Sequence, residues 1–125
     1  MAFEYAPAPE SRSVVDIAPS YGLFVDGEFT DPVDGGWRDT VNPATEEVLS
    51  KVADAGPADV RRAVQAARTA YEQVWGPMPG RERAKYLYRI ARLIQERSRE
   101  LAVLETLDNG KPIRESRDVD LPLVA

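Results

Sequence analysis

The stretch LETLDNGKPI, Leu104 to Ile113, holds the side chains of this sequence best spaced to do chemistry. Glu105 and Asp108 stand three apart and share one face of any helix that carries them. Paired carboxylates on one face can act as acid and base or hold a cation, and the plainer alternative is a solvated acidic helix end. Gly110 and Pro112 follow at once, so the pair lies close to a helix C-terminus, where the backbone dipole is already negative. A carboxylate there needs a compensating cation: Lys111, a neighbouring Arg or a bound metal. Hard cations take oxygen from carboxylates and backbone carbonyls together, and the free carbonyls of a helix end lie close by. Lys111, between Gly110 and Pro112, has no flanking sequence that would desolvate it, so it reads as salt-bridged or exposed rather than as a reactive amine.

The rest of the composition closes off other chemistry. The 125 residues contain no Cys and no His, which removes a thiol nucleophile, a Cys/His zinc site, a disulfide framework and any Ser/His or Cys/His pair from the chain. Neither a G-x-G-x-x-G nor a G-x-x-x-x-G-K-[ST] phosphate loop is present. The net charge of -5 argues against nucleic acid as a partner. The Arg-rich run from Arg81 to Arg99 alternates in sign with Glu82, Glu96 and Glu100, as a solvated helix face does. Trp37, Trp75, Tyr86 and Tyr88 could make a stacking platform for bases, yet Tyr71 and Trp75 fall on or beside an apolar helix stripe, which predicts core packing. The opening MAFEYAPAPESRS has Glu4 where a signal peptide carries a basic residue, and no apolar run approaches a membrane span. These features predict a cytoplasmic protein with no membrane partner.

The elements that must position LETLDNGKPI can be read in order. Residues 1–19 are rich in Ala, Pro, Ser and charge and predict a flexible arm, with an ordered part over 20–125. Asp26-Gly27 between Phe24-Val25 and Glu28-Phe29 predicts a tight hairpin, because both turn positions need positive φ. Gly35-Gly36 before Trp37 marks a second turn, and Asn42 to Thr45 a third, between Val41 and the strand-like EVLSKVA. From Pro57 the period changes to that of a helix with Val60, Ala63, Val64, Ala67, Ala70, Tyr71 and Val74 on one face. GPMPG, Gly76 to Gly80, breaks it. A second helix carries Ala84, Leu87, Ile90, Ala91 and Ile94, and a third, N-capped by Ser98, carries Leu101, Leu104 and Leu107. IRESRDVDLPLVA again looks helical but ends on its apolar residues without a cap, so Ala125 reads as a cut rather than a natural terminus.

Taken together, TVNPATEEVLSKVADAGPADVRRAVQAARTAYE, then RERAKYLYRIARLIQERSRELAVLETLDNGKPIRE, then DLPLVA resemble the N-terminal part of the NAD(P)-dependent aldehyde dehydrogenase superfamily. The resemblance runs from about Tyr21 to Ala125, and the three blocks in this order are far more specific than any one alone. It implies an α/β enzyme with a Rossmann-like coenzyme domain, a catalytic part and an oligomerisation part. By this resemblance residues 20–125 are the incomplete N-terminal part of the coenzyme-binding domain, hairpins followed by three to four helices. In the family a cysteine thiolate attacks an aldehyde, hydride passes to the nicotinamide of NAD or NADP, and a glutamate-activated water releases the acid. Those groups lie downstream of this region, so the resemblance places no catalytic or cofactor-binding residue in it and implies that residues 1–125 alone are inactive. The remainder of the enzyme chain is then the first partner, and a homo-oligomer of the whole enzyme is the expected assembly. One role carries over by motif position. Many members hold a monovalent cation, K⁺ or Na⁺, between a carbonyl of the T-[VI]-N-P stretch, the Asp of L-D-N-G-K and a carbonyl from a later region; the first two correspond here to Thr40, Val41 and Asp108, and the later ligand is not among these residues. The cation would act as a structural clip with no redox role. A truncated, non-catalytic paralogue serving as a binding or assembly module is the alternative.

Overall fold

The computed structural model describes residues 11–125. They divide into two units, one made of Ala18–Val41 and Val48–Leu87, the other of Asn42–Glu47 and Tyr88–Ala125 with the described residues up to Ile17.

The first unit begins with β1 (Ser20–Tyr21), followed by β2 (Leu23–Val25), β3 (Glu28–Thr30), β4 (Gly36–Val41) and β5 (Val48–Asp54). β2 and β3 form the expected hairpin, with Val25 opposite Glu28. Asp26 and Gly27 between them take φ of 55° and 86°, as a two-residue turn of that twist requires. Phe24 and Phe29 face each other across the ribbon with ring centroids 5.0 Å apart. β4 and β5 pair antiparallel, and β1 lies parallel on the other side of β5, giving the order β1-β5-β4. The parallel strand was not expected, because two residues after a Pro-rich stretch carry no alternation to detect. Of the predicted flexible arm, residues 1–10 lie outside the described part. Farther on, the carbonyl of Ala18 accepts from Ser50 Oγ at 2.8 Å and that of Pro19 from the Lys51 N–H at 3.1 Å, so the arm's last residues are tied to β5.

Helix α1 (Pro57–Ala70) starts, as expected, with proline at a first-turn position, preceded by Gly56 as N-cap. Glycine has no side chain to cap with, and two carboxylates serve instead. Asp34 Oδ2 accepts the Ala58 N–H at 2.9 Å, Asp34 Oδ1 the Asp59 N–H at 3.3 Å, and Asp59 Oδ2 the Gly56 N–H at 3.2 Å. Asp59 is buried, and its bonds fix the rotation of the helix. The side turned inward carries Asp59, Ala63, Ala66 and Thr69, while the expected core stripe of Val60, Val64, Tyr71 and Val74 is exposed. The core packing expected of Tyr71 and Trp75 is therefore corrected: Tyr71 is exposed, and Trp75 meets Tyr86 edge-on at 6.2 Å while remaining accessible. A periodicity shows which face seeks apolar cover, and the described residues leave that face exposed.

The helix widens to π geometry over Tyr71–Trp75 and stops at the predicted GPMPG break. Arg83, in the first turns of α2 (Gly80–Glu96), turns back to donate to the carbonyls of Trp75 at 3.3 Å and Met78 at 2.6 Å. Charges along α2 and the start of the next helix pair locally, Lys85 with Glu82, Arg92 with Glu96 and Arg97 with Glu100, as their alternation predicts. Among the described residues no helix is long and apolar enough to cross a membrane.

The second unit is helical. It takes the end of α2, then α3 (Ser98–Asn109), α4 (Ile113–Glu115) and α5 (Leu121–Val124), the last two joined by a π segment over Ser116–Asp120. Pro122 has no N–H to continue a regular ladder, and the Leu121 N–H bonds to the Ser116 carbonyl in the wider π spacing. Two expectations for α3 change. Arg97, rather than Ser98, is its N-cap and makes no side-chain cap bond. Its most buried positions are Ala102 and Val103, which with Leu121 form the apolar core, whereas Leu104 is partly exposed. Small residues allow close approach of neighbouring backbone, and a leucine-only periodicity overlooks them.

Candidate functional site

The end of α3 is built as the sequence requires. Gly110 takes the left-handed conformation, φ 78° and ψ 10°, and donates its N–H to the Thr106 carbonyl at 3.0 Å. Glycine is needed twice over, because a Cβ there would also lie 2.8 Å from Cγ of Pro43. Pro43 belongs to the turn Asn42 to Glu47 in the same unit. Asn42 is buried, its N–H bonds to the Glu47 carbonyl at 2.9 Å, its side-chain oxygen accepts the Ala44 N–H at 2.9 Å, and its carbonyl accepts the Glu46 N–H at 2.8 Å. Glu46 adopts φ of 62° to close the turn. The N-P-A-T and D-N-G-K-P stretches, more than sixty positions apart in sequence, therefore meet at Pro43 and Gly110.

Lys111 holds the next segment to this corner. Its N–H donates to Asn109 Oδ1 at 2.8 Å, and its ammonium group forms a partly buried ion pair with the Asp120 carboxylate. The pairing with Asp120 raises the lysine pKa above its ordinary value; partial burial opposes this, and the nearby charges of Glu105 and Glu115 support it. Of the two readings for Lys111, salt-bridged or exposed, the ion pair with Asp120 is the one found. Lys111 also supplies cationic compensation to Glu105.

The three residues singled out by motif fall as follows. Asp108 is exposed in the last turn of α3 and has an interaction of its own within the chain. Thr40 and Val41 end β4, where the ladder shifts register: Thr40 opposes Ser50, but Val41 opposes Val48. The extra residue, Leu49, is a β-bulge, a device that takes backbone groups out of the regular ladder. Thr40 and Val41 belong to the first unit and Asp108 to the second. Among the described residues no group of three or more His, Cys, Asp or Glu is placed to hold a metal ion.

One group escaped the sequence reading. Asp59 is 1% exposed and accepts from the N–H groups of Val33 and Gly56, with Arg62 Nη2 at 3.5 Å. These bonds hold its carboxyl below the usual carboxylate range; the Val33 N–H is the largest cause, and burial opposes it. An acidic residue three positions after a capping glycine was the available signal.

Comparison with known proteins agrees with this architecture. The sequence model of the aldehyde dehydrogenase family matches residues 29–125. The chain is similar to the Bacillus subtilis protein DhaS, 47% identical over 102 residues that make up 81% of this chain and 21% of that protein. It is 42% identical over 104 residues to mitochondrial aldehyde dehydrogenase family 2 member B4 of Arabidopsis thaliana, covering 82% of this chain and 19% of the relative. Among solved structures, an NAD⁺ complex of an aldehyde dehydrogenase from Bacillus cereus superposes with a TM-score of 0.78 at 44% identity, over 82% of this chain and 21% of that one. The γ-glutamyl-γ-aminobutyraldehyde dehydrogenase of Burkholderia cenocepacia gives 0.80 at 43% identity, over 88% and 22%. The chain spans about a fifth of the length of these relatives.

Proposed function

The chain belongs to the aldehyde dehydrogenase family, and on that premise we propose that it is the N-terminal portion of a cytoplasmic oxidoreductase that oxidises an aldehyde to a carboxylic acid with NAD or NADP. The observation that carries this is the joint of the two signature stretches at Pro43 and Gly110, a tertiary relationship that shared composition alone would not produce. When bound, the nicotinamide cofactor supplies the hydride acceptor. This segment contributes scaffold: strands β1 to β5, and helices whose exposed apolar stripes suit burial against further sequence of the whole enzyme.

Within the same reading, Thr40, Val41 and Asp108 contribute to a structural K⁺ or Na⁺ site in the whole enzyme. The T-V-N-P stretch that carries Thr40 and Val41, and the L-D-N-G-K stretch that carries Asp108, support it by their match to the family's motifs. Asp108 supports it by adding a carboxylate at a helix end that already presents carbonyls. The expected assembly is a homo-oligomer of the whole chain.

The test is aldehyde-dependent reduction of NAD⁺ and NADP⁺, followed by nicotinamide absorbance, with the whole protein and with residues 1–125 alone. Turnover by the whole protein and none by the isolated segment is the expected result. A whole protein that binds neither nucleotide and oxidises none of a panel of aliphatic and aromatic aldehydes would favour the truncated assembly module instead.

A further inference from the structure

Asn109 and Gly110 form the last helical residue and the cap of α3, and their chemistry extends beyond capping. We propose that Asn109 is a site of spontaneous deamidation, and that the end of α3 holds the reaction off in the folded protein.

The reaction needs only water. The Gly110 backbone nitrogen gives up its proton to solvent base and bonds to Cγ of Asn109. The Cγ–Nδ2 bond breaks and ammonia leaves. Water then opens the resulting five-membered imide at either carbonyl, giving aspartate or isoaspartate at position 109, with no oxidant or reductant consumed. Attack is least hindered when the following residue is glycine, which has no Cβ beside the nitrogen. The sequence has two asparagines, and the other provides a control. Asn42 precedes Pro43, whose nitrogen carries no hydrogen and cannot close the ring.

Three features of the fold oppose the reaction at Asn109, although the residue is exposed. The nitrogen that must attack is engaged, since the Gly110 N–H donates to the Thr106 carbonyl at 3.0 Å. The amide that must be attacked is held by the Lys111 N–H, 2.8 Å from Asn109 Oδ1. Asn109 also keeps the backbone of a helix, in which Cγ and the next nitrogen are not set for attack. The last turn of α3 must open first, so the rate falls by the fraction of time it is open. The product would damage the corner that delays it. A new carboxylate joins Asp108 at the negative end of the helix, and isoaspartate lengthens the backbone just before Gly110, where a Cβ would lie 2.8 Å from Cγ of Pro43.

The experiment incubates the full-length protein and a synthetic peptide spanning Leu104–Ile113 in mildly alkaline buffer, and maps the products by mass spectrometry. The expected result is a product one mass unit heavier at Asn109 and none at Asn42, formed roughly tenfold or more slowly in the folded protein than in the peptide. In denaturant the protein should match the peptide, and Asn109→Gln should remove the product from both. Equal rates in folded protein and peptide would overturn the protective role of the helix end, and absence of the product from the peptide would overturn the site itself.

Discussion

Asp59 Oδ1 accepts a 2.9 Å hydrogen bond from the backbone N–H of Val33, 26 positions earlier in the chain. The same carboxylate takes the Gly56 N–H on its other oxygen and lies beside Arg62, whose Nη2 continues to Thr30 Oγ1 at 2.9 Å. One side chain thus joins the loop after β3 to the first turn of α1. Because folding lowers its pKa from 3.8, its contribution to stability is complete above the unfolded value and is lost as pH falls through the folded one. Asp59→Asn keeps the shape but turns a donor toward donors. Its melting temperature should fall well below the parent's near neutral pH, and the gap should narrow in acid below the unfolded value, as the parent's own carboxylate is protonated. Thermal melts across that range check this, and parallel curves would show that the charge is not what matters.

Asp34 caps a helix that it precedes by more than twenty residues. Its two oxygens accept the N–H groups of Ala58 and Asp59, the donors left open when glycine is the N-cap. Asp34→Ala should cost about 1 kcal/mol, measurable as a lower urea midpoint with an unchanged slope, and Asp34→Asn should recover most of it. A loss no larger than that of a surface substitution would mean that water caps α1 equally well.

This cap shows where the sequence was silent. Turns and terminators depend on local chemistry, so Asp26-Gly27, Pro57, the GPMPG break and Gly110 were legible residue by residue. Asp34 caps α1 through space, and no spacing rule links it to Ala58. The rotation of α1 failed for a related reason: its stripe of Val60, Val64 and Val74 marks the face that seeks cover, while the buried Asp59 sets the face that turns inward. At the candidate site, Lys111 was readable as a salt-bridged or exposed amine rather than a reactive one. Its partner Asp120 was not, because that pairing depends on how α4 and the π segment fold back.

Arg83 closes the other end of the first helix, donating to the carbonyls of Trp75 and Met78. Removing the guanidinium leaves those acceptors to water while the stem can still pack. Arg83→Met should therefore destabilise by about 1–2 kcal/mol, and Arg83→Lys should restore only part, since its ammonium is more strongly hydrated and sits on a different stem from the guanidinium whose Nη1 reaches both carbonyls. Chemical denaturation of the three proteins checks this, and full rescue by lysine would reduce the interaction to charge alone.

Lys111 ties the corner at Gly110 to the segment beyond α4 through Asp120. Folding raises its pKa from 10.5, so the stability it brings is fully present below that unfolded value and is lost as pH rises through the higher folded value. Lys111→Met should lower the melting temperature near neutral pH, and this difference should shrink in strongly alkaline buffer. A difference that stays constant through that range would assign the effect to packing of the lysine stem instead of the ion pair.

Asp108 offers the sharpest check on the proposed cation. It has an interaction of its own within the chain, so Asp108→Ala should destabilise the whole enzyme in any salt. The cation adds a second component through mass action: a ligand bound only to the folded state raises stability with its concentration. The parent should gain melting temperature on exchange of a bulky organic cation for K⁺ or Na⁺ at constant ionic strength, and Asp108→Ala should lose most of that gain while keeping its general response to salt. Asp108→Asn, which retains an oxygen but no charge, should fall between. If the parent melts at the same temperature in all three cations, Thr40, Val41 and Asp108 hold no ion, and LETLDNGKPI serves the fold through its cap and its lysine alone.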